Sequence, residues 1–355
     1  MMKIYTIFVL ILATAATPTK SKLKQTQNAA VLHPTMRNLQ WVTDNDAVKY
    51  LTTEMSDMSA FNSTVLIPFM IERVSGTEGN RAVQQHIQSF LTSWHIETDN
   101  FTDNTPYGEK VFTNIIATFD PSKPKKVVLA CHFDSKYQPN MRFVGAMDSA
   151  VPCSILLETS RQMQCLLDKG SRNQSFANDL TLQLIFFDGE EAFKEWSSTD
   201  SIYGARHLAN QWSVTSDPAN SNNTRLGAIR ELILLDLLGP TDTVIPQEYS
   251  QTSDLYQHLV SVEQFLRANS CLTGRHAGPI FSGQQSFGGI EDDHLPFLRK
   301  GVNIMHIISD PFPSVWHTES DDMNHLDFDL IDDFSRIFRV FISNLMHLEP
   351  ENRNC

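Results

Sequence analysis

The stretch Leu184-Ile185-Phe186-Phe187-Asp188-Gly189-Glu190-Glu191-Ala192-Phe193 ends an apolar run abruptly in one aspartate, one glycine and two adjacent glutamates. A short Leu, Ile and Phe run bounded by a turn residue fits a buried central strand. Gly189 allows the backbone to turn sharply where the strand stops. Glu190 and Glu191 are then presented at its carboxyl end, the edge where open α/β sheets form ligand crevices. Two neighbouring carboxylates repel each other unless positive charge lies beside them. A metal ion with one glutamate as ligand and the other free for proton transfer would supply it. A solvated pair of loop acids is the alternative reading of this stretch alone.

Other groups with metal-binding or acid–base chemistry stand at similar positions. His132 and Asp134 follow an apolar run ending at Cys131, and Asp148 sits in the small-residue loop Gly145-Ala146-Met147-Asp148-Ser149-Ala150. Asp236 ends the run Leu232 to Leu235, Asp292-Asp293-His294 precede an expected strand, and His317 follows Pro311-Phe312-Pro313-Ser314-Val315-Trp316. Each alone has an ordinary explanation, such as a helix cap for Asp148. Together they all lie where parallel strands would converge. Histidine plus carboxylates with an open position is the composition of a catalytic zinc site, whereas oxygen-only ligation would suit magnesium or calcium.

The elements that would position these groups alternate. Strands are expected over 111–119, 126–131, 181–188, 231–238 and 302–308, from their β-branched and aromatic content. Helices are expected over 150–169, 203–212, 254–269 and 327–348, and Val83, Ile87, Phe90, Leu91 and Trp94 recur at helical spacing. The segment from Trp41 to Met70 reads as mostly helical, and Arg73 to Asn80 as a loop. This alternation predicts an α/β fold: one globular domain over about 35–350, with a mixed, mostly parallel central sheet covered by helices on both faces.

The chain has 355 residues, 41% of them hydrophobic, enough for a sizeable core. Its formal net charge of -13 argues against partners such as nucleic acid or an anionic membrane. Residues 1–16 read as a secretory signal: Lys3, an apolar run from Ile4 to Leu12, then Ala13-Thr14-Ala15. That run is too short to span a bilayer. Residues 17–34 read as a loose polar arm. Sequons at Asn62, Asn100, Asn173 and Asn222 agree with a secreted glycoprotein. Five cysteines in an oxidising compartment would allow bridging, and the odd count leaves one thiol free or bonded to another chain.

Taken together, the segments Cys131 to Lys136, Gly145 to Cys153, Phe186 to Trp196, Leu234 to Gly239, Asp292 to Phe297 and Pro311 to Thr318 resemble the animal glutaminyl-peptide cyclotransferases. Those enzymes are similar in fold to zinc aminopeptidases of the M28 type. The resemblance runs from about Arg73 to Leu348. It implies one zinc ion held by Asp148, Glu191 and His317, with Glu190 as general acid/base and Asp236 and Asp292 as carboxylates networked beside it. It implies aromatic pocket walls from Trp196, Phe312 and Trp316, a histidine near the site at His306, and a disulfide between Cys131 and Cys153. The implied substrates are peptides and proteins with N-terminal Gln, with N-terminal Glu as a further one to test. In that reaction the α-amine attacks the Gln side-chain amide, closes a five-membered lactam and releases ammonia.

Three residues depart from the pattern. Phe133 stands where Tyr is usual, Met147 where Thr is usual, and Glu291 where Gln is usual. Two other readings keep the same fold: a dizinc aminopeptidase, since His132 and Asp236 could ligate a second ion, and a secreted binding module without activity. Trp196, Asp292 and the aromatic approach to His317 favour the cyclase over the aminopeptidase. Retention of Asp148, Glu190, Glu191 and His317 speaks against an inactive module.

Overall fold

Six strands form the central sheet: β1 (His95–Thr105), β2 (Gly108–Thr118), β3 (Lys125–His132), β4 (Leu180–Phe187), β5 (Ile229–Asp236) and β6 (Ile304–Ile308). Their order across the sheet is β1-β2-β4-β3-β5-β6. The four strands from β4 to β6 run parallel, and β1 and β2 are antiparallel additions at one edge. The computed structural model describes residues 39–350 apart from 40, 43, 170–178, 277, 287 and 349. The expected signal and arm, Asn173 and Cys355 lie outside the described residues. All described residues fall within the unit Met36–Cys355.

Five longer helices cover the sheet: α1 (Glu78–Phe90), α2 (Val151–Lys169), α3 (Tyr203–Trp212), α4 (Ser253–Ala268) and α5 (Phe328–Met346). Because side chains alternate along a strand, each parallel strand feeds both faces. Val127, Leu129 and Cys131 of β3 join the cluster that includes α2, α4 and α5. Val128 and Ala130 of the same strand join the cluster built with α3. The near-continuous apolar strands are therefore the signature of a sheet buried on both sides. Among the described residues no helix is long and apolar enough to cross a membrane.

The stretch from Trp41 to Met70 is mostly helical, as its pattern predicts, in the form of a succession of short helical turns between Asn45 and Phe69. Asp57 interrupts it by capping the next turn through Ala60 N–H, and Pro68 enters the last turn. Strand β1 lies outside the expected elements, and its sequence His-Ile-Glu-Thr-Asp-Asn-Phe-Thr-Asp-Asn-Thr carries no apolar alternation. It is an edge strand, mostly exposed, held by pairing with β2 from His95–Thr118 to Thr105–Gly108. Backbone hydrogen bonding, not patterning, makes it a strand.

Cys131 at the end of β3 is bridged to Cys153 in the first turn of α2, with Cα atoms 5.6 Å apart. Among the described residues Cys271 is a free thiol. The bridge closes the loop that carries His132 and Asp148. In the chain-entropy account, a loop of 22 residues is worth about 3 kcal/mol. Cys153→Ser is therefore expected to lower Tm by several degrees while keeping most of the activity. A folded Cys153→Ser protein with no activity would contradict a purely stabilising role.

Candidate active site

The parallel strands end in register. His132 lies opposite Phe187, Ala130 opposite Leu234, and Asp236 opposite Ile308. The chain leaves β4 through Asp188 and Gly189. At Gly189 φ is +76°, and a Cβ would stand 2.5 Å from the Phe112 ring. Only glycine permits this turn, and it delivers both glutamates to the sheet edge. Asp134 fixes them there. Its Oδ1 accepts Glu190 N–H at 3.0 Å and its Oδ2 accepts Glu191 N–H at 3.2 Å.

Asp148 is delivered by a second tight turn. Gly145 has φ +52°, and a Cβ there would meet the Asp148 carbonyl oxygen at 2.1 Å. Asp321 Oδ1 accepts Met147 N–H at 2.8 Å from the other side of the loop. His317 follows β6 and has φ +55°, an uncommon conformation for a non-glycine residue. Trp316 stacks on its ring with centroids 3.9 Å apart.

These turns bring three donors together. His317 Nε2 lies 3.3 Å from Asp148 Oδ2 and 3.2 Å from Glu191 Oε1. The second Glu191 oxygen, Oε2, is held at 2.9 Å by Lys136 Nζ. Asp148, Glu191 and His317 form a group that could hold a metal ion. A second group shares Asp148: His132 Nε2 is 3.1 Å from Asp148 Oδ1 and 3.4 Å from Asp236 Oδ1. Asp236 Oδ1 also accepts from Ser149 Oγ and from Leu237 N–H.

Glu190 belongs to neither group. Burial pushes its carboxyl well above the usual carboxylate range. The His132 charge opposes this, and Glu191, Asp292 and Asp293 reinforce it. Burial also raises Asp236, to about 6. Asp292 behaves oppositely: burial acts to raise it, but the hydrogen bond and charge of His306 bring it below the usual range. Neighbouring acids with divergent proton affinities mark acid–base sites.

A cavity of about 650 Å³ opens over these groups. Asp148, Glu190, Glu191, Asp236, Asp292 and His317 face it, and Leu237, Ile290 and Ile308 supply apolar wall. Trp196, Phe312 and Trp316 also line it, and both tryptophans are 39% exposed. The Phe312 and Trp316 rings meet edge to face at 4.8 Å. His306 is different. It does not line the cavity but is buried between Asp292 and Glu248. The Asp292 loop leads into a short helix, Leu295–Leu298, rather than directly into β6.

Residues 114–342 match the model of peptidase family M28. The chain is 42% identical over 292 residues to the glutaminyl-peptide cyclotransferase of Bos taurus, covering 80% of this chain and 81% of that protein. The chain belongs to the glutaminyl-peptide cyclotransferase family. The crystal structure of Macrostomum lignano glutaminyl cyclase superposes with a TM-score of 0.80 at 35% identity, covering 87% of this chain and 95% of that one. A Zn-dependent exopeptidase from Parabacteroides distasonis shares the fold, with a TM-score of 0.62 at 22% identity over 80% of this chain and 96% of that one.

Several residues that hold this cyclotransferase site together carry no recognisable signal in the sequence. Arg73, read as part of a loop, is fully buried. Its guanidinium donates to the carbonyls of Phe133 (2.7 Å), Gly145 (2.9 Å) and Asp148 (3.2 Å), tying the two metal-side loops together. Asp200 accepts the N–H groups of Phe193, Lys194 and Glu195 at 2.9 to 3.1 Å and so anchors the loop bearing Trp196. Of the three departures, Phe133 and Met147 are buried among apolar neighbours. Glu291 instead meets the cavity rim, where its Oε2 accepts Trp196 Nε1–H at 2.9 Å.

That bond fixes one cavity wall. A hydrogen bond to a charged group is worth about 1.5–3 kcal/mol at most. Glu291→Ala is expected to raise KM by about three- to tenfold with kcat close to wild type, because a loosened Trp196 wall would weaken binding in ground and transition states alike. A kcat loss with unchanged KM would contradict this.

Proposed function

We propose that this chain converts the N-terminal glutamine of peptides and proteins to pyroglutamate with release of ammonia, using one zinc ion held by Asp148, Glu191 and His317. The separations of 3.2 and 3.3 Å from His317 Nε2 to the two carboxylate oxygens support zinc. Tetrahedral ligands about 2.0–2.1 Å from the ion stand about 3.3 Å apart. Bound there, zinc supplies Lewis acidity at the side-chain amide oxygen and a favourable field for the charge that develops on it.

The observation that carries the reading is Glu190: a buried carboxyl of raised proton affinity, on the wall of the same cavity, outside the ligand set. As the α-amine nitrogen bonds to the amide carbon, Glu190 takes the proton the amine sheds. It returns that proton to the side-chain nitrogen as the old carbon–nitrogen bond breaks, and ammonia leaves. Asp236 and Asp292 keep negative charge beside it. Trp196, Phe312 and Trp316 hold the folded side chain so that amine and carbonyl stay in near-attack contact. The signal and the exposed sequons at Asn100 and Asn222 support action in the secretory pathway. A mobility shift on N-glycosidase treatment tests that.

One observation favours a second reading. His132, Asp148 and Asp236 also converge, as a second metal in an aminopeptidase would require. Incubation with a Gln-initiated and an Ala-initiated peptide separates the two. Ammonia and pyroglutamyl product from the first alone supports cyclisation; free amino acid from either, with two zinc ions per chain, overturns it.

A further inference from the structure

His306 has both ring nitrogens on carboxylates. Nε2 lies 2.7 Å from Asp292 Oδ2 and Nδ1 lies 2.6 Å from Glu248 Oε2, with all three side chains no more than 2% exposed. A carboxylate can only accept, so a ring flanked by two of them carries both protons. Burial works against that cation, but the two hydrogen bonds overcome it and hold the ring's pKa at about 10. His294 packs on the same ring with centroids 4.3 Å apart. Burial and the positive charge of His306 keep His294 neutral. Its Nε2 lies 2.5 Å from the Tyr249 hydroxyl, which burial holds as the phenol. Arg299 also acts on His294, and the charges acting on or from Asp292 include His132, Glu190, Asp236 and Asp293.

We propose that Glu248 is a positioning residue for the cyclisation: it locks His306 as a doubly donating cation, which holds the Asp292 carboxylate fixed and ionised beside Glu190. The kinetic part rests on the function proposed above. Glu248 does not line the cavity, and its hydrogen bond is to the His306 ring. With Gln in its place the ring keeps an acceptor but loses one of its two anions and sheds a proton more readily. Asp292 is then a buried anion without a cation, which is costly. It becomes a competitor for the proton that Glu190 must carry.

The sign of the pH effect follows. Activity needs the imidazolium, and removing one of its two anions lowers its proton affinity. The alkaline fall in kcat therefore begins at lower pH. The test compares full-length, zinc-loaded wild type with Glu248→Gln and Glu248→Asp. Nitrogen NMR of the labelled histidines should find both His306 ring nitrogens protonated in wild type to about pH 9. In Glu248→Gln the ring should lose a proton at lower pH. The alkaline limb of kcat should move down by about one pH unit, so that kcat measured on that limb falls by up to about tenfold. KM and zinc content should hold, and Glu248→Asp should recover part of the loss. A singly protonated His306 in wild type at pH 7, or a Glu248→Gln kcat profile that superimposes on wild type, overturns the proposal, as does a change in KM alone. If wild type forms no pyroglutamate, the proposed function fails, and the NMR comparison alone still decides whether Glu248 fixes the ring.

Discussion

Glu190→Gln is expected to bind metal normally and to lose kcat by about a thousandfold, the scale of a removed general acid/base. Gln has nearly the same shape, and the bond that places the residue comes from its backbone N–H to Asp134. The converging donors are Asp148, Glu191 and His317, so the ligand set is untouched. In the proposed mechanism, what disappears is the ability to take a proton from the amine and give it to the departing nitrogen. KM should change little, because an interaction used only in the transition state affects kcat. Full metal occupancy with wild-type turnover would end the proton-shuttle role. The variant should also be more stable. A carboxyl with a raised folded pKa favours the folded state at low pH, and that contribution is lost as pH rises through the folded value. In the chelator-treated protein, Glu190→Gln should therefore match wild type in acid and exceed it in Tm at neutral and alkaline pH. An equal or lower Tm at pH 8 would contradict the crowding of charge around Glu190.

The second large effect is expected at His317. It is the nitrogen donor of its group, 3.2 and 3.3 Å from the two carboxylate oxygens. His317→Ala leaves two anions converging without their third partner and places alanine at φ +55°. Metal content after dialysis should drop to about a tenth of wild type or less, and activity should vanish with it, since affinity depends on ligand count and geometry. The adjacent group of His132, Asp148 and Asp236 makes the outcome informative. If His317→Ala kept one metal per chain, that second group would be the stronger site and the single-ion assignment would be wrong.

Much of this was legible in the sequence, for identifiable reasons. The parallel strands are buried on both faces, so their residues must be apolar throughout, and each run stops where the sheet ends. Glu190, Glu191, Asp236 and His132 were found because a charged group directly after such a run can only stand at the sheet edge. Helices α2 and α5 were legible because their apolar residues recur at helical spacing, although in the structure both are buried around most of their circumference. Strand β1 was not, because an exposed edge strand needs only backbone partners.

By itself, then, the sequence determined the layered α/β fold and which acids and histidines meet at one edge, because both follow from local burial and element order. Only the tertiary structure decided how they are held. Arg73 reaches carbonyls 60 to 75 residues away, Asp321 caps a loop 174 residues earlier, and Glu248 finds His306 58 residues on. These bonds join side chains to distant backbone groups or to each other in buried space. They leave no periodicity along the chain, and the same residue types on the surface would look identical.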